Sequence, residues 1–213
     1  MYWDTEAHHN LAHNPFTALV VPRPIGWIST YGARGQPNIA PYSFFNIVSY
    51  APYQLILSIG PRLNGQPAKK DTLRNIEETG CFVANLVTWD LRDAMNATAV
   101  ECPPHVDEFE LAGITPEPAR CVNAPRVRES PVNMECELVR LIETRGRDER
   151  QPNILVLGEV RGIHIDDSVI EDGMVAYGRM KPIARLGYLG DYAATTDLFQ
   201  MPRPPLPQKH RDR

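Results

Sequence analysis

Read as a pattern of apolar and polar positions, the chain breaks into short extended runs with few helical stretches. Phe16 to Val21 (FTALVV) is apolar and stops at Pro22, which predicts a first strand. Ile25 to Tyr31 (IGWISTY) mixes β-branched and aromatic residues and predicts a second. Gly32-Ala-Arg-Gly35 places two glycines at hairpin spacing. Asn38 to Ala40 reads as the return strand, and Pro41 is expected to end its ladder. Phe44 to Ser49 resumes extended character up to Pro52. Gln54 to Gly60 (QLILSIG), nearly all apolar, predicts a buried strand with Ser58 near its end. Asp71 to Gly80 reads as a short helix with Asp71 as N-cap, Gly80 as its stop, and Leu73 and Ile76 as its apolar stripe. Cys81 to Val87 (CFVANLV) predicts another buried strand. Thr88 to Val100 reads as a second helix, capped by Thr88, with Leu91, Ala94, Met95 and Thr98 along one face.

The second half is less regular. Glu101 to Pro131 holds six prolines and predicts a long excursion of the kind that serves as a lid or interface loop. From Val132 to Ile142 the pattern alternates. Val132, Met134, Cys136 and Leu138 share one face and Asn133, Glu135 and Glu137 the other, which predicts a half-exposed strand. Arg145 to Gln151 reads as a charged turn. Ile154 to Ile165 reads as a long strand with Gly158 and Gly162 as bulge sites. Asp166 to Glu171 turns into a short helix, and residues 180–190 are compact. The expected organisation is an arm over 1–15, one body over 16–195 and a Pro-rich, basic tail over 196–213. Seven or eight strands with two main helices give an all-β to α+β chain. Its expected form is an antiparallel, Greek-key-like barrel with capping helices.

Composition narrows the function classes. Lys plus Arg number 22 and Asp plus Glu 26, a net charge of −4, which argues against nucleic-acid binding driven by bulk charge. No apolar run approaches the length of a membrane span. The start, MYWDTEAHHN, is acidic and polar and lacks the pattern of a signal peptide, so the expected compartment is the cytoplasm. The 20 prolines and 14 glycines suit many short segments and turns. Cys81, Cys102, Cys121 and Cys136 lack CxxC spacing and read as reduced thiols. Cys102-Pro-Pro-His105 is at most half a metal site, and no metal is expected.

The candidate chemistry concentrates in residues 22–46, PRPIGWISTYGARGQPNIAPYSFFN. Two short strands there give way to an irregular piece dense in backbone-shaping and aromatic residues. Such a piece exposes backbone N–H groups and hydroxyls at the end of a sheet, where a flat polar ring such as a flavin could dock. Ser29, Thr30 and Ser43 add hydroxyls, and the bend at Pro41-Tyr-Ser43 adds N–H donors able to stabilise charge on a reduced ring. Downstream, Arg62, Lys69 and Lys70 precede the helix near Asp71. A helix N-terminus offers unpaired N–H groups and a positive dipole end, so Arg62, Lys70 and Thr72 form a candidate phosphate site. Each feature has an ordinary alternative. The basic loop can be a solvated face, Ser29 and Thr30 strand filling, Trp27 core, and His164 a satisfied edge-strand histidine.

Taken in order, PRPIGWIST, NIAPYSFFN, a strand ending in Ser58, KKDTLRNIEETGCFVANL, GEVRGIHID and ARLGY resemble the flavin reductase-like family. The matched segments spread over residues 16–192, and the tail DLFQMPRP resembles the small flavoreductase branch. The resemblance implies an FMN-binding split β-barrel, a homodimer with FMN near the subunit interface, and hydride transfer from NADH or NADPH to flavin. FAD is the alternative flavin. It carries flavin contact onto Trp27, Ile28, Ser29 and Thr30, onto Asn38, Pro41, Tyr42, Ser43 and Phe44, and onto Ser58. Arg185 is implied to approach the flavin or the partner subunit, and His164 to orient substrate. Hydride transfer needs positioning more than proton transfer, so no protein nucleophile is expected. Reduced flavin would leave for a flavin-dependent monooxygenase. The alternatives are reaction in place with a specific small molecule, or a non-catalytic flavin or haem carrier. No GxGxxG fingerprint is present to choose between NADH and NADPH.

Overall fold

In a computed structural model, the structure describes residues 2–6, 10–62, 69–103, 106–148 and 151–205. His105, part of the basic loop before Lys69, the tip of the turn at 149–150 and the end of the tail lie outside the described residues.

Seven strands form one sheet. In chain order they are β1 (Gly26–Tyr31), β2 (Pro37–Tyr42), β3 (Phe45–Tyr50), β4 (Tyr53–Ile59), β5 (Cys81–Asn85), β6 (Val132–Asp148) and β7 (Gln151–Ile165). They lie in the order β2-β1-β5-β6-β7-β4-β3, and every neighbouring pair is antiparallel. The sheet curls until its ends share one core. Ile28 and Tyr42 from one end pack with Leu55, Leu57 and Ile59 from the other, around Phe82, Cys136 and Val156. A Cβ at Gly26 would stand 2.6 Å from the Phe45 ring, so a bare backbone is needed where β1 meets the start of β3. Helix α1 (Asp71–Thr79) closes the barrel with Leu73 and Ile76.

Strand β1 is buried on both faces, which explains its near-continuous apolar run. Ile28 faces the barrel core, whereas Trp27 enters a second core with Ile39, Met95, Phe109, Ile114 and Val127. That second core sits beneath helices α2 (Arg92–Ala97) and α3 (Glu108–Ala112). The excursion 101–131 is therefore packed structure, with α3 and a small hairpin of Pro116–Pro118 and Pro125–Val127. It covers the face of β6 that alternation assigns to solvent. Asn133 and Glu135 are buried, Glu135 with 0% exposure. Both polar side chains point inward because earlier parts of the chain supply their partners, Arg120 and Cys121 for Glu135 and Asn85 and Val127 for Asn133, which a local pattern does not report.

Other elements differ from expectation. Residues Phe16–Leu19 form a single helical turn, with the Phe16 N–H bonded to Asn14 Oδ1 at 3.0 Å, in place of a strand. Pro41 does not end β2. The strand runs on to Tyr42 at the edge of the sheet, where a missing N–H costs no ladder bond. Lys70, not Asp71, is the N-cap of α1. Asp71 is its first residue and pairs with Arg62 and Arg74. Helix α2 is far shorter than 88–100, because Thr88 is held in a bridge to Pro182. Strand β6 continues to Asp148, so residues Arg145 to Asp148 extend a hairpin with β7 and are not a turn. Irregularities at Leu157/Gly158 and Val160/Gly162 place bulges at both predicted glycines. Gly80 takes a left-handed φ of 71° and ends α1 as expected.

Candidate functional site

The N-terminal end of α1 opens into a cleft lined by Asn38, Pro41, Tyr42, Arg62, Lys70, Thr72 and the stretch 98–102, with Glu108 at its wall. The basic residues come from the loop before α1 and the neutral polar ones from β2, so both sequence-predicted halves meet here. Lys70 forms no side-chain cap bond, which leaves the first N–H groups of α1 facing the cleft. Burial lowers the Lys70 ammonium from its ordinary range, with Arg62 acting the same way and Glu101 opposing it. Its Nζ lies 6.0 Å from the centre of the Tyr42 ring. Arg62 is half-engaged already, donating to Asp71 Oδ2 at 2.7 Å.

Beneath the cleft runs a buried polar chain. Thr72 Oγ1 donates to Asn38 Oδ1 at 3.1 Å, and Thr30 Oγ1 donates to the same oxygen at 3.2 Å. Asn75 Nδ2 donates to Thr30 at 3.0 Å. The Asn38 amide NH₂ donates to both carboxyl oxygens of Glu108, each at 3.2 Å. This fixes which way the Asn38 amide points, since its oxygen must face the two hydroxyls. Burial pushes the Tyr42 phenol up to about 12, against a hydrogen bond with Thr72, so it stays protonated.

The cleft encloses about 100 Å³. That admits a phosphoryl group but not a three-ring heterocycle, since pockets for drug-sized molecules run about 300–1,000 Å³. A ring attached to such a phosphate must lie outside the cleft; Ser43, Phe44 and Ser58, which do not line it, sit at the junction of β2, β3 and β4. Phe44 is 54% exposed, and the Arg23 guanidinium stands 5.7 Å from its ring centre. The Ser58 N–H donates to the Phe44 carbonyl at 2.8 Å, which holds this rim in place.

The remaining predicted residues take other roles. Trp27, Ile28, Ser29 and Thr30 are fully buried. The Trp27 indole donates to Thr98 at 2.8 Å, and Ser29 donates to the Pro125 carbonyl and accepts from Asn85 at 2.9 Å. Their side chains shape the wall behind the cleft from inside. His164 lies on β7 outside the cleft, its Nε2 bonded to Glu135. Arg185 donates to the carbonyls of Tyr188 and Asp191, each at 2.7 Å, and stacks on Tyr192, stapling its own loop. Glu108 is the residue that sequence reasoning misses. The Asp107 side chain caps α3 by accepting from the Phe109 N–H at 2.8 Å, and an acid after such a cap reads as a solvent-facing first turn. Nothing local shows that β2 buries it.

The donor set fits a phosphomonoester: an ammonium, a hydroxyl, a guanidinium and the open start of a nine-residue helix. The model of the flavin reductase-like domain matches residues 18–184. An uncharacterised protein of Aquifex aeolicus is 40% identical over 170 residues, covering 79% of this chain and 83% of its own. Among solved structures, nitrilotriacetate monooxygenase component B from Bacillus cereus is similar, with a TM-score of 0.81 and 31% identity over 92% of this chain and all of that one (100%). The 2-nitrobenzoate 2-nitroreductase of Pseudomonas fluorescens has a TM-score of 0.81 and 26% identity, covering 96% of each chain.

Proposed function

The chain belongs to the flavin reductase-like family, and from that membership we propose that it is an NAD(P)H-dependent flavin oxidoreductase that binds FMN at the α1 cleft. The observation that carries the placement is the meeting of Lys70, Thr72 and the uncapped start of α1 with Asn38, Pro41 and Tyr42 in one cleft. In this reading Lys70 and the first N–H groups of α1 hold the phosphate. The Thr72 hydroxyl rotates its proton from Asn38 to a phosphate oxygen, which a hydroxyl does freely. Ser43, Phe44 and Ser58 position the ring at the rim, and Arg23 steadies Phe44 from behind. Bound flavin supplies hydride acceptance and release, so the protein contributes position and water exclusion.

The exposed apolar side chains of β3, Ile47, Val48 and Tyr50, support a homodimer in which a second copy packs on β3 and closes the ring site. The likeness to a monooxygenase component B supports a role in supplying reduced flavin to a monooxygenase. A second reading, reduction of a dedicated organic substrate in place, is favoured by the likeness to a nitroreductase.

One experiment tests the reading at two levels. Protein loaded with FMN and mixed anaerobically with NADH or NADPH is expected to bleach, and a yellow solution that does not bleach with either would refute the reductase assignment. The double variant Lys70→Ala/Thr72→Ala is expected to weaken FMN about tenfold or more and riboflavin little, since charge-assisted bonds to phosphate are lost. Equal weakening of both ligands would remove the phosphate from this cleft.

A further inference from the structure

The cleft that accepts a phosphate in this reading carries more acids than bases. Among the described residues its lining holds Arg62 and Lys70 against Asp71, Glu101 and Glu108. A phosphate dianion entering such a site adds charge of the sign already in excess, so one acid must give way. Asp71 cannot, because Arg62 and Arg74 both grip it. Glu101 stands at the half-buried edge, where it supports the charge of Lys70. Glu108 is different. It is only 7% exposed, its side chain accepts from the neutral Asn38 amide, and no cation pairs with it among the described residues.

We propose that Glu108 is the proton-accepting residue of the phosphate cleft: it is a carboxylate when the cleft holds water and takes a proton from solvent when a phosphomonoester binds. No bond to carbon or phosphorus changes, and the ligand and one proton enter together. The proposal rests on the placement of the phosphate made above. The groups that face Glu108 agree with it. Burial already raises its carboxyl, the neighbouring Asp71 raises it further, and bonds from Asn38 and from the N–H groups of Ile39 and Glu108 itself oppose both. Tyr42 and Cys102, the other titratable groups within its field, are themselves raised and neutral, so neither supplies a counter-charge. Arg62 and Lys70 line the same cleft, but neither pairs with Glu108. Bound phosphate then takes up Arg62 and Lys70, the cations of the lining among the described residues, and leaves Glu108 without one. Glu108 thereby becomes a specificity residue: ligands ending in a neutral hydroxyl bind with no proton linkage, and phosphomonoesters bind more tightly as pH falls.

The test is calorimetric titration of the full chain with FMN and with riboflavin at pH 7.5, in two buffers of different ionisation enthalpy. Expected is uptake of close to one proton with FMN and none with riboflavin. The variant Glu108→Gln keeps an acceptor for Asn38. It is expected to abolish the uptake and to tighten FMN at pH 8 by about tenfold for each unit by which pH 8 lies above the ligand-free wild-type carboxyl. If Glu108→Gln fails to fold, phosphorus NMR of FMN on the wild-type chain decides. A phosphate that stays dianionic while a proton is taken up supports the proposal, and one that itself becomes monoanionic overturns it. Uptake unchanged in Glu108→Gln, with FMN still preferred over riboflavin, overturns the role of Glu108 and leaves the phosphate placement standing. Equal affinity for FMN and riboflavin overturns both.

Discussion

Glu135 has 0% exposure, yet it is an acid in the middle of a strand. Its two oxygens accept from the backbone N–H groups of Arg120 and Cys121, the first at 2.9 Å, and one of them also meets His164 Nε2. Burial alone would raise this carboxyl. The two N–H donors and His164 outweigh it and hold the group below the ordinary carboxylate range. A depressed native value means the contribution to stability is complete above the unfolded carboxyl's range. It is lost as pH falls through the native value. Glu135→Gln keeps the shape but presents an NH₂ to one of two N–H donors, which costs about 1–3 kcal/mol. The expected outcome is a lower Tm at pH 7 and a gap from wild type that narrows as the pH falls below about 4. Thermal melts across pH 3–7 check it, and a gap independent of pH would show that the carboxylate's charge is not what matters. Because His164 is engaged here, it serves to hold the 101–131 segment against β6 and β7.

Elements report a similar division between what local pattern fixes and what it does not. The bulges at Gly158 and Gly162, the αL stop at Gly80 and the stripe of Leu73 and Ile76 were all legible, because each depends on residues within a few positions. The helix expected over 88–100 was not, since Thr88 is taken by Pro182 from ninety residues on, and the lid expected over 101–131 instead packs down through Phe109, Ile114 and Val127. The site divides likewise. Lys70 and Thr72 follow from the helix start, Pro41 and Tyr42 from the bend after the hairpin, and Asn38 only from the family resemblance. Glu108 depends on how α3 docks on β2, which no spacing encodes. Gly158 shows how strict such docking is. A Cβ there would lie 2.6 Å from the Phe82 ring, which is fully buried in the barrel core. Gly158→Ala is therefore expected to destabilise the fold by about 1–3 kcal/mol, as overpacking does. Urea unfolding measures this, with the midpoint falling and the slope unchanged. Gly178→Ala, where a Cβ meets no atom within 4 Å, is the matched control.

At the scale of the whole molecule, the sheet has two edges: β2, against which α3 docks, and β3. Strand β3 ends the sheet, and Ile47 is 69% and Tyr50 84% exposed along it. An apolar edge strand left in water is a template for pairing with another chain. In the proposed placement, a ring joined to the cleft phosphate lies over Ser43 and Phe44, just before this strand, because the cleft is too small to hold the ring itself. Assembly and flavin binding are then two readings of one surface. A second copy seated on β3 would bury the apolar edge and roof the ring site together, which predicts that the two are thermodynamically linked. Ile47→Asp with Val48→Lys puts charges at the centre of that face without touching the cleft. The expected outcome by sedimentation velocity is a shift from dimer to monomer. In the monomer FMN affinity falls about tenfold or more, a coupling of the usual size for linked sites. Raising the concentration of the variant should recover both properties in parallel. A monomer that binds FMN as tightly as the unaltered chain would mean that one chain completes the ring site unaided. The small cleft and the open rim would then need a closing segment from within the same polypeptide.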